Sequence, residues 1–278
     1  MTTQIPEPKY DYRVERLVKA YKRAVRDIYR TLDRIDISNM TRAQSAATLK
    51  EVADILSTLN EESAAWVAEN IPVAVRNGSL TALVALDVKD AAKITEFSRL
   101  NRELIEAVVA DTQTDLLAVT QNIDRKVRTT IRQVTAETMR ANMTRGVNGR
   151  QTMNRDILDG LRKKLGDAVN TGIVDSAGRR WKPEVYVDMV TRTKMLAAHK
   201  EATINEAISR KAYYGVISRH GAIDACARWE GRIVKLTMDA PGDYVYIGDI
   251  PRNQCFHPNC RHTISPLRDP KLLEANPD

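Results

Sequence analysis

The sequence predicts a mainly α protein, with a helical N-terminal bundle, a long helical arm and a small α+β module at its C-terminal end. Three observations predict this class. Apolar residues recur at steps of three and four along much of the N-terminal half, which is the spacing of one helix face. Aromatic residues make up only 5% of the chain, so aliphatic side chains must form most of its core. Segments with strand character begin only after residue 212.

The N-terminal bundle is predicted helix by helix. An apolar stripe predicts a first helix over 12–35, and seven Lys or Arg residues lie on its other face. That basic face fits simple solvation as well as contact with nucleic acid or an acidic partner. Thr41 caps a second helix, a third covers 63–76, and Asn77-Gly78-Ser79 predicts a turn before a further helix over 80–97.

A long arm follows the bundle. The apolar stripe continues without Gly or Pro and predicts one helix over 101–145, about 65–70 Å long at 1.5 Å per residue. Such a helix either packs back on the preceding helices as a hairpin arm or offers a surface for oligomers or docking. Gly146-Val-Asn-Gly149 ends the arm. We therefore predict a helical domain over 1–149, a second domain over 150–268 and a flexible tail over 269–278.

The second domain is predicted to mix helices and strands. A short amphipathic helix covers 150–165, and Pro183 opens a longer helix that runs towards Arg210. Strand character then follows in three short segments, at 213–218, 232–236 and 244–247. This pattern predicts the small α+β module.

Charge is unevenly distributed along the chain. The formal net charge is +7, yet the segment from Arg125 to Lys182 holds fourteen Lys or Arg against five Asp or Glu, an excess of nine. A basic balance of this kind predicts acidic partners, such as nucleic acid or an acidic protein surface. No stretch approaches the roughly 20 apolar residues that cross a bilayer, and the N-terminus lacks the apolar core of a signal peptide. We therefore expect a protein that is made and retained in a cytosol.

The densest chemistry lies near the C-terminus. All three cysteines follow residue 225, and their odd number predicts reduced thiols or metal ligands. Zinc takes four thiolate or imidazole ligands in structural sites. The chain offers five candidates, namely Cys226, Cys255, His257, Cys260 and His262. They contain no CxxC knuckle, so they also fit a metal-free core of buried thiols and hydrogen-bonded imidazoles.

A catalytic interpretation of the same residues is also open. A Cys/His pair with Asp224 as the orienting group would suit a hydrolase. His and Asn in one short run on a basic chain would suit an HNH-like nuclease, although that motif requires a ββα layout and here Pro266 follows closely. A third alternative is a zinc-stabilised nucleic-acid-binding module.

An ordered set of motifs in the C-terminal half resembles one known family. The motifs are, in order, an Arg-Thr helix, Ser218-Arg-His-Gly221, Asp and Cys before Trp229-Glu-Gly231, and His257-Pro-Asn-Cys-Arg-His262 before a Pro. Over about residues 150–268 this order resembles the C-terminal domain of the Mu F-like minor capsid or head morphogenesis proteins of tailed phages, in particular the group called phage minor capsid protein 2. Many relatives end the last motif in Cys-Arg-Cys, and zinc accepts either residue at the position of His262.

The resemblance implies a structural protein of the phage head and not an enzyme. It implies an internal virion component that associates with the portal protein and other head proteins, assembles in the bacterial host cytoplasm, and aids head assembly, DNA packaging or ejection. It establishes no cofactor, and structural zinc stays the candidate. On this interpretation the basic segment faces packaged DNA or an acidic portal surface. We nominate six residues for phosphate contact: Arg125, Arg128, Arg132, Arg162, Lys163 and Lys164.

Overall fold

The computed structural model describes residues 8–91, 96–148, 155–170, 173–174 and 178–274. It confirms a mainly α protein with a small C-terminal module of short antiparallel strands. Its helices are α1 Asp11–Asp33, α2 Arg42–Ala85, α3 Arg99–Asn148, α4 Arg155–Asn170, α5 Pro183–Ser209 and the short α6 Lys271–Glu274. Among these described helices, none combines the length and apolar character needed to span a membrane.

The described residues form two compact units. Unit 1 contains those of Met1–Arg13, Val67–Thr112 and Met189–Asp278, and unit 2 contains those of Val14–Trp66 and Gln113–Asp188. The domain boundary predicted near Gly149 lies outside the described residues. The predicted division into 1–149 and 150–268 therefore stays a prediction. Within the predicted tail, Lys271–Glu274 forms a short helix.

The two helices with the clearest apolar stripes are confirmed. Helix α1 buries its predicted stripe, and α3 covers the whole of the predicted arm with 50 residues. Six apolar side chains of α3 in unit 2 are at most 2% exposed: Leu116, Val119, Ile123, Val127, Ile131 and Val134. The Thr120 hydroxyl donates to the side-chain oxygen of Asn60 in α2 at 2.7 Å. The chain itself thus covers this part of the stripe, as a hairpin arm requires.

Helix α2 overturns the predicted turn at Asn77-Gly78-Ser79. The helix runs straight through this motif from Arg42 to Ala85. The prediction is wrong because Gly78 serves a close helix contact and not a turn. A Cβ atom on Gly78 would lie 2.1 Å from the backbone carbonyl oxygen of His199 in α5. Only a residue without a side chain lets the two backbones approach so closely.

The helix predicted over 80–97 is too long, because α2 ends at Ala85. Asp87 takes the left-handed conformation with φ of 52°. The Val88 amide then donates to the Leu83 carbonyl at 3.0 Å, and the Asp87 amide donates to the Val84 carbonyl at 3.1 Å. These two bonds form a Schellman cap. Aspartate occupies the position where glycine would have signalled the helix end in the sequence.

The sheet of the C-terminal module lies in unit 1. Its central strand is β3 Tyr214–Ile217, and antiparallel partners flank it on both sides, β4 Ile233–Lys235 and β5 Ile264–Leu267. In unit 2, Ile173–Val174 pairs antiparallel with Arg180–Trp181, as strands β1 and β2. The strands predicted around 213–218 and 232–236 are confirmed.

The third predicted strand is wrong. Tyr246 makes only an isolated bridge to Lys235, and Ile247–Asp249 continues as a 3-10 helix. The third strand of the sheet is instead β5, on the other side of β3 from β4, and the sequence places Pro266 within it. Proline lacks an amide donor but is tolerated on an edge strand, and β5 is the edge beyond β3.

Candidate metal centre

Capping positions the first cysteine of the site. The Asp224 carboxylate accepts the Cys226 amide at 2.9 Å and so caps the 3-10 helix Ala225–Trp229. This cap fixes the backbone of Cys226, whose side chain points into the core of the module. Trp229, at the other end of the same short helix, is buried in that core as well.

A folded loop over 251–260 supplies the other two cysteines. The Cys255 amide donates to the Pro251 carbonyl at 3.2 Å, and the Cys260 amide donates to the His257 carbonyl at 2.9 Å. Phe256 and Asn259 take left-handed φ values of 59° and 64°, which turn the chain between the two cysteines. His262 follows just before β5, so pairing of β5 with β3 sets its position.

The three cysteines and His262 form one compact buried group. Their sulfur and ring nitrogen atoms all lie within 4.8 Å of one another. The Cys226 and Cys260 sulfurs are 3.8 Å apart, and Nδ1 of His262 lies 3.2 Å from the Cys260 sulfur. The cysteines are not joined by disulfides. The fold therefore brings together four of the five candidate residues named above and leaves His257 outside the group.

Burial and mutual hydrogen bonds shift the pKa values of the three thiols far from the ordinary value. Burial raises the pKa of the Cys226 thiol to about 12. A hydrogen bond from Cys255 to Cys260 raises the pKa of Cys255 and lowers that of Cys260 to about 3. Three neighbouring thiols thus cannot all ionise together in this apolar setting, whereas a bound cation would stabilise the thiolates.

Glu230 holds the ring of His262. Its carboxylate oxygen lies 3.2 Å from Nε2 of His262 and also accepts the amides of His220 at 2.9 Å and Ala222 at 3.0 Å. These amide bonds lower the pKa of Glu230 to about 2, so the group is a carboxylate. A carboxylate can only accept, so Nε2 of His262 carries a proton, and the other ring nitrogen, Nδ1, faces the Cys260 sulfur. The His220 ring also lies near Nδ1, with its Nε2 3.3 Å away.

His257 forms a separate contact at the edge of the site. Its Nε2 lies 3.1 Å from the Cys226 sulfur and 3.1 Å from the Asp224 carboxylate, and its Nδ1 lies 2.9 Å from the Pro258 carbonyl. The bond to that carbonyl raises the pKa of His257. His257 forms a possible metal-binding group only with Asp224 and Cys226, so it lies beside the four-residue group and is not part of it.

The Trp-x-Gly motif gains a physical meaning from this geometry. Trp229 packs in the module core, Glu230 orients His262, and Gly231 takes a φ of 73° that returns the chain to the sheet. The Gly231 amide donates to the Ile217 carbonyl at 2.8 Å. Sequence reasoning missed Glu230, because a single glutamate carries no metal-binding signal and its contact with His262 depends on the fold.

The six nominated basic residues all lie on α3 and α4 in unit 2, and half of them have carboxylate partners. Arg128 pairs with Asp124 at 3.1 Å, Arg162 with Asp33 at 3.3 Å and Lys164 with Glu137 at 3.2 Å. For Arg125, Arg132 and Lys163, all exposed, the described part of the chain provides no such ion pair.

The fold and site together describe a mainly helical protein that carries a small Cys/His-centred α+β module, the class to which the resemblance to phage head proteins pointed. The family described as Phage minor capsid protein 2 matches residues 15–268. The chain therefore belongs to the phage minor capsid protein 2 family, and it is a structural protein of the virion that associates with other head proteins. Comparison with curated proteins finds no match, and comparison with solved structures finds none either.

Proposed function

We propose that this chain is an internal head component that associates with the portal protein and aids head assembly, DNA packaging or ejection. The observation that carries the proposal is the family match over 15–268, which includes the helical region as well as the C-terminal module. The likeness of the C-terminal motifs to Mu F-like head morphogenesis proteins supports the portal-associated position. The match also favours this role over a nucleic-acid-binding module unconnected with capsids.

The proposed role is structural and not catalytic. The cysteine that lies beside His257 and Asp224 is Cys226, which is 1% exposed, so its thiol is not accessible to a substrate as a nucleophile. Cys255 and Cys260 are buried as well. The cavity beside Cys260 and His262 has a volume of about 40 Å³, whereas small-molecule sites usually measure roughly 300 Å³ or more. Burial and the lack of space both support a structural task for these residues over a hydrolase or nuclease.

Packaged DNA is the acidic partner that the basic segment suits. Arg125, Arg132 and Lys163 are exposed. Within the described residues, none of these three side chains has an ion pair that contact with phosphate would have to break. Arg128, Arg162 and Lys164 already have carboxylate partners, so their contact with phosphate would first disrupt an existing pair. We therefore assign the phosphate contacts to Arg125, Arg132 and Lys163.

The position in the head is tested by mass spectrometry of three particle forms: procapsids before packaging, filled heads and emptied heads. We expect the chain in procapsids and filled heads at fewer copies than the major capsid protein. Its loss from emptied heads would assign it to ejection, and its retention would assign it to assembly or packaging. Co-expression with the portal protein should yield a complex, and co-expression with the major capsid protein alone serves as the control. Absence from filled heads, or no complex with the portal protein, contradicts the proposal.

Contact with DNA is tested by the salt dependence of binding to a duplex of arbitrary sequence. Each phosphate contact contributes a slope of about 0.9 in a plot of log affinity against log salt concentration. The triple variant Arg125→Gln/Arg132→Gln/Lys163→Gln should lower the slope by about 3. The matched control Arg128→Gln/Arg162→Gln/Lys164→Gln removes the same charge and should change the slope much less. Equal effects of the two triple variants would contradict the assignment of the contacts, and a salt-independent affinity would remove DNA as a partner.

A further inference from the structure

We propose that Cys226, Cys255, Cys260 and His262 bind one structural zinc ion. Three cysteine sulfurs and Nδ1 of His262 would be the ligands, and Glu230 would orient the histidine from outside the coordination sphere. The proposal goes beyond the role in the head and does not depend on it. Loss of zinc would change the stability of the module whether or not the chain binds a portal protein.

The distances between the ligand atoms match those around a tetrahedral ion. With Zn–S bonds of about 2.3 Å and a Zn–N bond of about 2.0 Å, neighbouring sulfurs lie about 3.8 Å apart and sulfur and nitrogen about 3.5 Å apart. The Cys226 and Cys260 sulfurs are 3.8 Å apart, and the Cys260 sulfur lies 3.2 Å from Nδ1 of His262. The remaining pairs are all within 4.8 Å. Small side-chain shifts would therefore complete the tetrahedron.

The donor set selects the kind of metal. Thiolate and imidazole are soft or intermediate ligands, which zinc binds well and which calcium and magnesium do not. Four protein ligands fill the tetrahedral shell and leave no position for water or substrate, which defines a structural site and not a catalytic one. All four side chains are buried, the most exposed being Cys260 at 9%.

The contact between Glu230 and His262 prepares the histidine as a ligand. Metal-binding histidines commonly donate their other ring N–H to a carboxylate, which fixes the tautomer and the ring orientation. Here the Glu230 carboxylate accepts from Nε2 at 3.2 Å, which turns Nδ1 towards the three sulfurs, where it would give its lone pair to the ion. The ring of His220 is the competing neighbour of Nδ1, at 3.3 Å. Its side chain is 31% exposed, and zinc would replace its contact with Nδ1.

The ion would join three segments that are separate in the sequence. Cys226 lies in the 3-10 helix Ala225–Trp229, Cys255 and Cys260 lie in the loop over 251–260, and His262 precedes β5. The sheet itself has strands of only three or four residues. Small modules of this kind gain stability from a metal because their apolar core is limited. Zinc would therefore act here as a cross-link of the module.

The test uses the full-length protein purified without chelators, with metal content measured by inductively coupled plasma mass spectrometry. We expect one zinc ion per chain, and a strong chelator should lower the Tm. Replacement of zinc by cobalt should give tetrahedral cobalt absorption with sulfur-to-cobalt charge transfer. Ring ¹⁵N chemical shifts should identify Nδ1 of His262 as the metal-bound nitrogen.

Four variants separate the ligands from their neighbours. Cys255→Ser should lose zinc, while His257→Ala and His220→Ala should retain one ion per chain as matched controls. Glu230→Gln keeps an oxygen for the His220 and Ala222 amides but removes the negative charge, and should weaken zinc binding by about tenfold or more.

Several results would overturn the proposal. One is substoichiometric metal after zinc is offered in excess, and another is loss of zinc from His257→Ala as complete as from Cys255→Ser. Cobalt absorption without sulfur charge transfer would also overturn it. If Cys255→Ser does not fold, the cobalt and ¹⁵N spectra of the unsubstituted protein decide the question by themselves.

Discussion

The hydroxyl of Tyr10 lies 2.9 Å from Nδ1 of His199, and it donates a hydrogen bond to that nitrogen. The direction of this hydrogen bond follows from the contact that the other ring nitrogen, Nε2, makes. Nε2 lies 3.3 Å from the Thr81 hydroxyl, whose single proton is donated to the Asn77 carbonyl at 2.9 Å. Nε2 must therefore carry the ring proton, and Nδ1 accepts. His199 is a neutral imidazole with both nitrogens paired, buried inside unit 1.

Stability should fall in acid because of this histidine. Burial lowers the pKa of His199 from its ordinary value of 6.5 to about 4. The unfolded chain therefore takes up a proton at higher pH than the folded chain, and the stabilisation is complete above pH 6.5 and lost as the pH falls towards 4. The shift corresponds to about 3 kcal/mol at most. Urea unfolding across this pH range should show a steeper loss in the wild type than in His199→Gln, and equal slopes would contradict the assignment.

Gly78→Ala should destabilise the protein more than most alanine substitutions. Its Cβ would lie 2.1 Å from a backbone oxygen of α5, and backbone atoms cannot move aside as a flexible side chain can. We expect a loss of about 3 kcal/mol in the free energy of unfolding, the upper end for overpacked cores. The control is Gly160→Ala in α4, where no atom of the described residues, apart from the helix's own nearby backbone, lies within 4 Å of the new methyl group. It should raise the stability by about 0.5–1 kcal/mol, because alanine favours helix. Equal midpoints in urea for the two variants would contradict the close helix contact.

The contrast between α3 and α2 indicates what the sequence can and cannot predict about the fold. Periodicity is a local signal, so the stripe of α3 predicts the 50-residue helix well. The local sequence around Gly78 does not decide its role, because glycine is favoured in turns and in close backbone contacts alike. Only the position of His199, far away in the sequence, decides between the two. Tertiary contact overrides local propensity at this residue.

The candidate metal centre also divides into what the sequence predicts and what only the fold decides. Residue types alone predict thiolate and imidazole chemistry, and they offer five candidates. The choice of His262 over His257 depends on how β5 pairs with β3, and β5 contains Pro266, which argues against a strand in the sequence. Glu230 has no metal-binding signal of its own. Its role depends on the turn that brings the His220 and Ala222 amides to its carboxylate.

Thr41→Ala should weaken the start of α2. The Gln44 amide donates to the Thr41 hydroxyl at 3.2 Å, and the Gln44 side chain accepts from the Thr41 amide at 2.8 Å. This reciprocal pair is a capping box, and loss of the cap should cost about 1 kcal/mol. Thr41→Ser retains the hydroxyl and should cost less than half as much. Hydrogen exchange at the Gln44 amide should accelerate in the alanine variant only, and equal exchange in both variants would contradict the capping role.

Asn101→Ala should be costly because this amide joins three helices of unit 1. Asn101 is fully buried, its Nδ2 donates to the Ser79 hydroxyl of α2 at 2.8 Å, and its Oδ1 accepts from Asn205 of α5 at 3.0 Å. Truncation leaves both partners without this amide and should cost about 2–3 kcal/mol in the free energy of unfolding. A double-mutant cycle with Asn205→Ala isolates the shared bond. The sum of the two single losses in the free energy of unfolding should exceed the loss in the double variant by about 1 kcal/mol. Strictly additive losses in urea unfolding would mean that the Asn101–Asn205 bond contributes nothing to stability.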